Sequence, residues 1–280
     1  MSRVNTIDLL SEYSGKEYVV EYKRLLNLIS EWDTYCINNE NISMEQLFNR
    51  YILNWKYRNT YTSLKEIYDK LKLNVRANVK TVNDKLLTLI ELVLNIDSFI
   101  DDIIYENNSK YENDPFSEIY LIYKNNTLIF DNCCKLMTAL NYKSNVIDDK
   151  IMLVKDEADV YTTINENNSK ELSILLTEYI YFKNKNNVKE KKRILSDIAI
   201  YLEPLRNDIP NEKLRSTIFK IFNKLNIRHN NKEGKNSSEF VTKMSNSEVI
   251  EWYDRCFSLC LTAIRLVDFE KTKNIYDVFN

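Results

Sequence analysis

Two glycines in 280 residues, Gly15 and Gly234, constrain this chain more than any other feature of its sequence. Glycine enters positive φ without a Cβ clash and lets a backbone lie close against a ligand. Phosphate-cradling loops and dinucleotide fingerprints need several such positions in a short run, and no such run exists here. Prolines are equally scarce: Pro115, Pro204 and Pro210. A sheet-rich fold with many tight turns is therefore disfavoured, although asparagine can serve in some of them. Hydrophobic residues at 44% and charged residues at 29% describe a folded chain rather than a disordered one. The expected fold class is all-α, a multi-helix bundle.

Amphipathic spacing carries that expectation along the chain. Val20, Leu25, Ile29, Trp32 and Cys36 predict one helix from Glu17 to Ile37. Ser43 with Gln46, and Ser63 with Glu66, have the spacing of capping boxes. A long helix is expected from about Val79 to Glu106, through Val82, Leu86, Ile90, Val93, Ile100 and Ile104. The polar run from Asn107 to Asp114 ends it, and Asp114-Pro115 reads as the entry to another helix. Glu118 to Phe130 fits either a small β-hairpin (near 118–130, turning at Asn125-Asn126) or a buried helix, with the helix preferred. Lys143 to Asp149 reads as a loop, and it suggests two regions, 1–148 and 149–280. Further helices are expected over Glu171 to Lys183, Lys189 to Leu205 and Asn211 to Leu225. After a polar loop, Asn230 to Ser247, Ser245 and Glu248 box the start of a closing helix that buries Val249, Trp252, Cys256, Cys260 and Val267.

The five cysteines, Cys36, Cys133, Cys134, Cys256 and Cys260, are odd in number and show no repeated spacing, which suggests a reducing compartment. With one histidine and no Cys-x-x-Cys, a zinc site is not expected. The first ten residues hold no signal-like apolar run, and no stretch approaches the roughly 20 apolar residues of a membrane helix. The expected location is cytoplasmic, with no membrane partner.

Charge is unevenly spread. From Lys183 to Lys235 there are 14 Lys and Arg against 6 Asp and Glu, whereas the rest of the chain carries 25 against 35. A basic C-terminal third suggests a polyanion such as RNA; solvated helix faces would look the same. Lys191, Lys192, Arg193, Lys224 and Lys232 are the candidate phosphate contacts, and the first three equally suit the exposed start of a helix. The single histidine, His229, follows Arg228 at the mouth of the polar loop. Histidine exchanges protons near neutral pH, and arginine holds a phosphate with paired hydrogen bonds. Together they form a minimal kit for metal-free RNA cleavage, with Glu203 as the group that would orient the imidazole. The same Arg-His pair would also serve as a helix C-terminal cap. Asp97, Asp101, Asp102 and Glu106 superficially resemble an aspartate-rich magnesium motif of isoprenoid synthases, but no second motif accompanies them, and a solvated helix end explains them. No metal or cofactor is expected.

The segment from Lys189 through Ser245 resembles the HEPN-like helical domains of abortive-infection, or phage-defence, proteins. The residues that carry the resemblance are Leu195-Ser196-Asp197-Ile198-Ala199 leading to Leu202-Glu203-Pro204, then Asn226-Ile227-Arg228-His229-Asn230-Asn231, and Glu251-Trp252-Tyr253-Asp254 in the closing helix. It covers the C-terminal part only, and implies a helical bundle forming a homodimer with polar residues at the seam. It also implies RNA cleavage or infection sensing, with a defence-system protein as a further partner. In the usual ribonuclease motif Arg and His are several residues apart on one helix face. Here they are adjacent, which on a helix would turn them about 100° from each other. Two functions follow: a metal-independent endoribonuclease using Arg228 and His229, or a non-catalytic interaction or sensor module that binds a protein or nucleic acid.

Overall fold

The computed structural model describes residues 15–113, 121–166, 169–227, 241 and 243–273. Ten α-helices and five short strands occur among them, so the protein is mostly helical with small antiparallel additions rather than purely all-α. The chain divides into two compact units, Met1–Leu153 and Val154–Asn280.

The first unit runs α1 (Gly15–Glu31), β1 (Asp33–Ile37), β2 (Glu40–Ser43), α2 (Met44–Tyr51), a 3-10 turn (Ile52–Asn54), α3 (Leu64–Lys70) and α4 (Val82–Asn113). Then come β3 (Ile122–Lys124), α5 (Leu128–Ala139), β4 (Tyr142–Ile147) and β5 (Lys150–Lys155), near whose end the second unit begins. The helix expected to reach Ile37 stops at Glu31. Asp33-Thr34-Tyr35-Cys36-Ile37 is rich in β-branched and aromatic residues, and Asn38 and Asn39, at φ 49° and 66°, fold it back onto β2. Two consecutive left-handed residues are what a two-residue hairpin turn requires. Asp148 and Asp149, at φ 47° and 62°, turn β4 into β5 in the same way, where a loop was expected. Eight non-glycine residues among those described have positive φ, and all but Lys72 are Asn or Asp. Their short polar side chains tolerate this region, which is how a glycine-poor chain makes its tight turns.

The segment 118–130 is neither the hairpin nor the single helix expected of it. Ile122–Lys124 pairs antiparallel with β1 in a sheet of order β2-β1-β3, and Leu128 opens α5. Residues 118–120 and the expected helix entry at Asp114-Pro115 lie outside the described residues. The Ser43–Gln46 capping box is present, with both of its hydrogen bonds. At the second expected box Ser63 accepts from the Glu66 N–H, while the Glu66 carboxylate turns to Thr62.

Helix α4 organises this unit. Leu86, Leu87, Leu89, Ile90, Leu92, Val93, Ile96 and Ile100 are all buried, so apolar contact covers nearly its whole circumference. Its polar residues therefore need partners. The Asn95 carboxamide donates to the Ile151 carbonyl at 2.8 Å and accepts from the Ile151 N–H at 3.0 Å. Asn108 does the same for Ile122, at 3.1 Å each way. The Glu91 carboxylate accepts from the Leu153 N–H at 3.1 Å. Each strand edge thus finds on α4 the donor and acceptor that another strand would have offered.

The second unit comprises α6 (Ala158–Glu166), α7 (Lys170–Ile180), a 3-10 turn (Phe182–Asn184), α8 (Val188–Leu202), a further 3-10 turn (Arg206–Asp208), α9 (Glu212–Lys224) and α10 (Asn246–Thr272). Helix α10 packs on α6, α8 and α9. It buries Val249, Tyr253, Cys256, Phe257, Cys260, Ile264 and Val267, while Trp252, expected inside, is half-buried beneath the Arg255 guanidinium. Its start carries the expected Ser245–Glu248 box. Among the described residues no helix is long and apolar enough to cross a membrane.

Asn95→Ala removes both bonds to Ile151 and leaves its part-buried backbone groups unpaired. It is expected to cost about 2–3 kcal/mol of first-unit stability in urea unfolding. A cost below about 0.5 kcal/mol would mean that water replaces the carboxamide.

Candidate functional site

The expected phosphate contacts Lys191, Lys192 and Arg193 fall in the first turns of α8, whose N-terminus is capped by Asn187 accepting from the Glu190 N–H at 3.1 Å. Their side chains meet different fates. Lys191 is 5% exposed. Its Nζ donates to Asp254 Oδ1 at 2.5 Å and lies 4.2 Å from the centre of the Tyr179 ring. The Tyr179 hydroxyl donates to the same Oδ1 at 2.9 Å, and its ring stacks on Phe257 at 3.8 Å. Burial, reinforced by the Asp254 carboxylate, pushes the Tyr179 phenol well above the ordinary tyrosine range. Lys191 therefore joins α7, α8 and α10 from inside and does not face a phosphate.

Arg193 stands at the surface, but its fork is occupied. Nε reaches Glu190 at 2.6 Å, Nη1 reaches Asp197 at 2.9 Å and Nη2 reaches Glu178 at 2.6 Å. Exposed pairs of this kind add little stability. They do surround the cation with three carboxylates, which offsets its attraction for a polyanion. Lys192 is half-buried and Lys224, the last residue of α9, is exposed.

Of the expected catalytic set only Glu203 lies within the described residues, half-buried at the C-cap of α8, with its N–H bonded to the Ala199 carbonyl at 3.0 Å. Arg228, His229 and Lys232 lie outside them. The end of α9 is well defined. Asn226 takes φ 54°, and the Ile227 N–H reaches back to the Phe222 carbonyl at 2.9 Å. This left-handed stop closes the helix before Arg228.

The acids of α4 separate onto two faces, a division already implicit in their i, i+4 spacing. Asp97 and Asp101 meet Lys124 at 2.8 and 3.1 Å, and Tyr35, the cross-strand neighbour of Lys124, donates to Asp97 at 2.9 Å. Burial pulls the Lys124 ammonium down, but its bonds to Asp97 and Asp101 outweigh this and keep it charged. Asp102 and Glu106 instead line a cleft of about 440 Å³ together with Trp55, Tyr57, Phe99 and Asp149. Spacing alone did not identify this cleft, because its other walls come from distant segments. No group of three or more His, Cys, Asp or Glu among the described residues is placed to hold a metal ion.

The clamp around Lys191 makes an asymmetric prediction. Asp254→Ala leaves a buried ammonium without its carboxylate and is expected to cost roughly 2–4 kcal/mol in urea unfolding. Lys191→Met leaves only a half-exposed carboxylate and is expected to stay within about 1 kcal/mol of wild type. Equal losses in the two variants would contradict this assignment. No family model matches the chain, and neither does any curated protein or solved structure.

Proposed function

We propose that this chain is a HEPN-like phage-defence protein whose second unit acts as a non-catalytic interaction or sensor module. The observation that carries this choice is the commitment of the α8 cations, Lys191 to Asp254 and Arg193 to three carboxylates. A nucleic-acid grip depends on cations that can exchange counterions for phosphate. Neutralising two of the five expected contacts within the fold removes much of the reason to place RNA along α8. The sequence resemblance supports the defence setting, and the packing of α10 against α6, α8 and α9 suits a helical bundle. In this reading the module works as a homodimer, with the polar segment after α9 at the seam and a defence-system protein as its partner.

The ribonuclease reading is favoured by one observation. The left-handed stop at Asn226 ends α9 before the chain reaches Arg228 and His229. A single histidine per chain would have to act as both base and acid, or be joined by the histidine of a second copy.

Labelled total RNA, incubated with excess chelator and either wild type or His229→Ala, separates the two. The interaction module predicts no cleavage by either protein. Cleavage by wild type alone, leaving 2′,3′-cyclic phosphate ends, would establish the nuclease instead. Light scattering at micromolar concentration is expected to give twice the chain mass, and a monomer would remove the dimer seam from the proposal.

A further inference from the structure

We propose that the cleft in the first unit, between α4, the segment 54–57 and the β4–β5 turn, binds a small organic dication of the alkylammonium class. This site is independent of the reading given to the second unit.

Charge is the first argument. Three carboxylates, Asp102, Glu106 and Asp149, line the cleft against one ammonium, that of Lys56. Lys56 is already committed, with its Nζ 3.1 Å from Asp149 and 5.0 Å from the centre of the Tyr57 ring. Among the described residues neither Asp102 nor Glu106 makes an ion pair, although they repel one another across one turn of α4. The pair Asp97 and Asp101, on the other face of the same helix, is bridged by Lys124. The second pair has the same spacing and no bridging cation among the described residues.

The walls give the second argument. Trp55 and Phe99 stand with ring centres 6.4 Å apart, and Trp55 meets Tyr57 edge-on at 6.0 Å. Buried Phe48 contacts both Trp55 and Phe99 from behind, at 5.1 and 6.1 Å, and fixes them. Aromatic walls beside carboxylates suit an ammonium on an alkyl stem, with methylenes on the rings and charge at the acids. The unit already uses this chemistry twice on its own lysines. Lys56 sits by Tyr57 and Asp149, and Lys124 lies 4.4 Å from the Phe130 ring centre while bonded to Asp97. With Asp149 paired to Lys56, the two α4 carboxylates of Asp102 and Glu106 are left to the ligand, and two negative charges suit two ammonium groups rather than one. A volume of about 440 Å³ lies within the range of small-molecule sites.

Calorimetric titration of the full chain with putrescine, a linear diamine, in low-salt buffer tests the site. One saturable binding event is expected. The double variant Asp102→Asn, Glu106→Gln should weaken it by about tenfold or more, since both charge-assisted contacts are lost. These side chains are exposed, so circular dichroism should match wild type. The control double variant Glu31→Gln, Asp84→Asn removes equal charge from exposed positions elsewhere in the unit and should leave the affinity within about twofold. Phe99→Leu, which removes a ring and keeps an apolar wall, should weaken binding severalfold. The absence of a saturable event would overturn the proposal. So would equal weakening by the two double variants, because diffuse attraction to an acidic surface behaves in that way.

Discussion

Packing α4 on nearly every side takes Glu91, Asn95 and Asp97 out of water, and each must then find a partner on another element. A buried carboxamide or carboxylate without one costs on the order of a few kcal/mol. The chain meets this demand by running strand edges and a cross-strand pair against the helix. Asn95 supplies Ile151 with a donor and an acceptor at once, and Asn108 does the same for Ile122. Tyr35 and Lys124, opposite one another in β1 and β3, converge on Asp97. Backbone groups paired in this way are not offered to strands of other chains. They also hold register, because a one-residue slip would turn the backbone groups of Ile151 away from Asn95.

The scarcity of glycine shows both what the sequence discloses and where it misleads. The long helices are legible because their apolar residues recur over many turns, and the Ser43 and Ser245 boxes because capping is a local matter of three residues. The hairpins are hidden. Val20, Leu25, Ile29, Trp32 and Cys36 keep a helical beat across a boundary that Asn38-Asn39 sets from downstream, and a short strand between helices offers too few residues to establish its own period. Asparagine and aspartate pairs are the readable signal in such a chain. Where glycine is nearly absent, Asn38-Asn39 and Asp148-Asp149 are the residues best able to occupy two left-handed positions in succession. The small strand β3 lies further from reach, since what makes Ile122–Lys124 a strand is β1, some 85 residues earlier.

The basic third of the chain illustrates a different limit. Counting charges between Lys183 and Lys235 treats every lysine and arginine as available, whereas packing decides which of them are. Helix α8 turns Lys191 inward, where Tyr179 and Asp254 from α7 and α10 enclose it, and its neighbour Arg193 lies among Glu178, Glu190 and Asp197. Two of those three acids, Glu190 and Asp197, sit three and four residues away on the same helix, so the neutralisation of Arg193 was available from spacing alone. That of Lys191 was not, because Asp254 lies 63 residues downstream.

The same distinction between local and distant partners separates the two acidic pairs of α4. Both have i, i+4 spacing, and by composition they form one solvated cluster. The fold gives them opposite surroundings: β3 brings Lys124 to the first pair, and the 54–57 segment brings aromatic rings to the second. A like-charged pair on a helix is mildly unfavourable unless something positive lies beside it. For Asp97 and Asp101 the chain itself supplies that charge. For Asp102 and Glu106 it supplies ring faces and an opposing aspartate, a setting in which an added ammonium relieves the repulsion and gains contacts that water cannot offer.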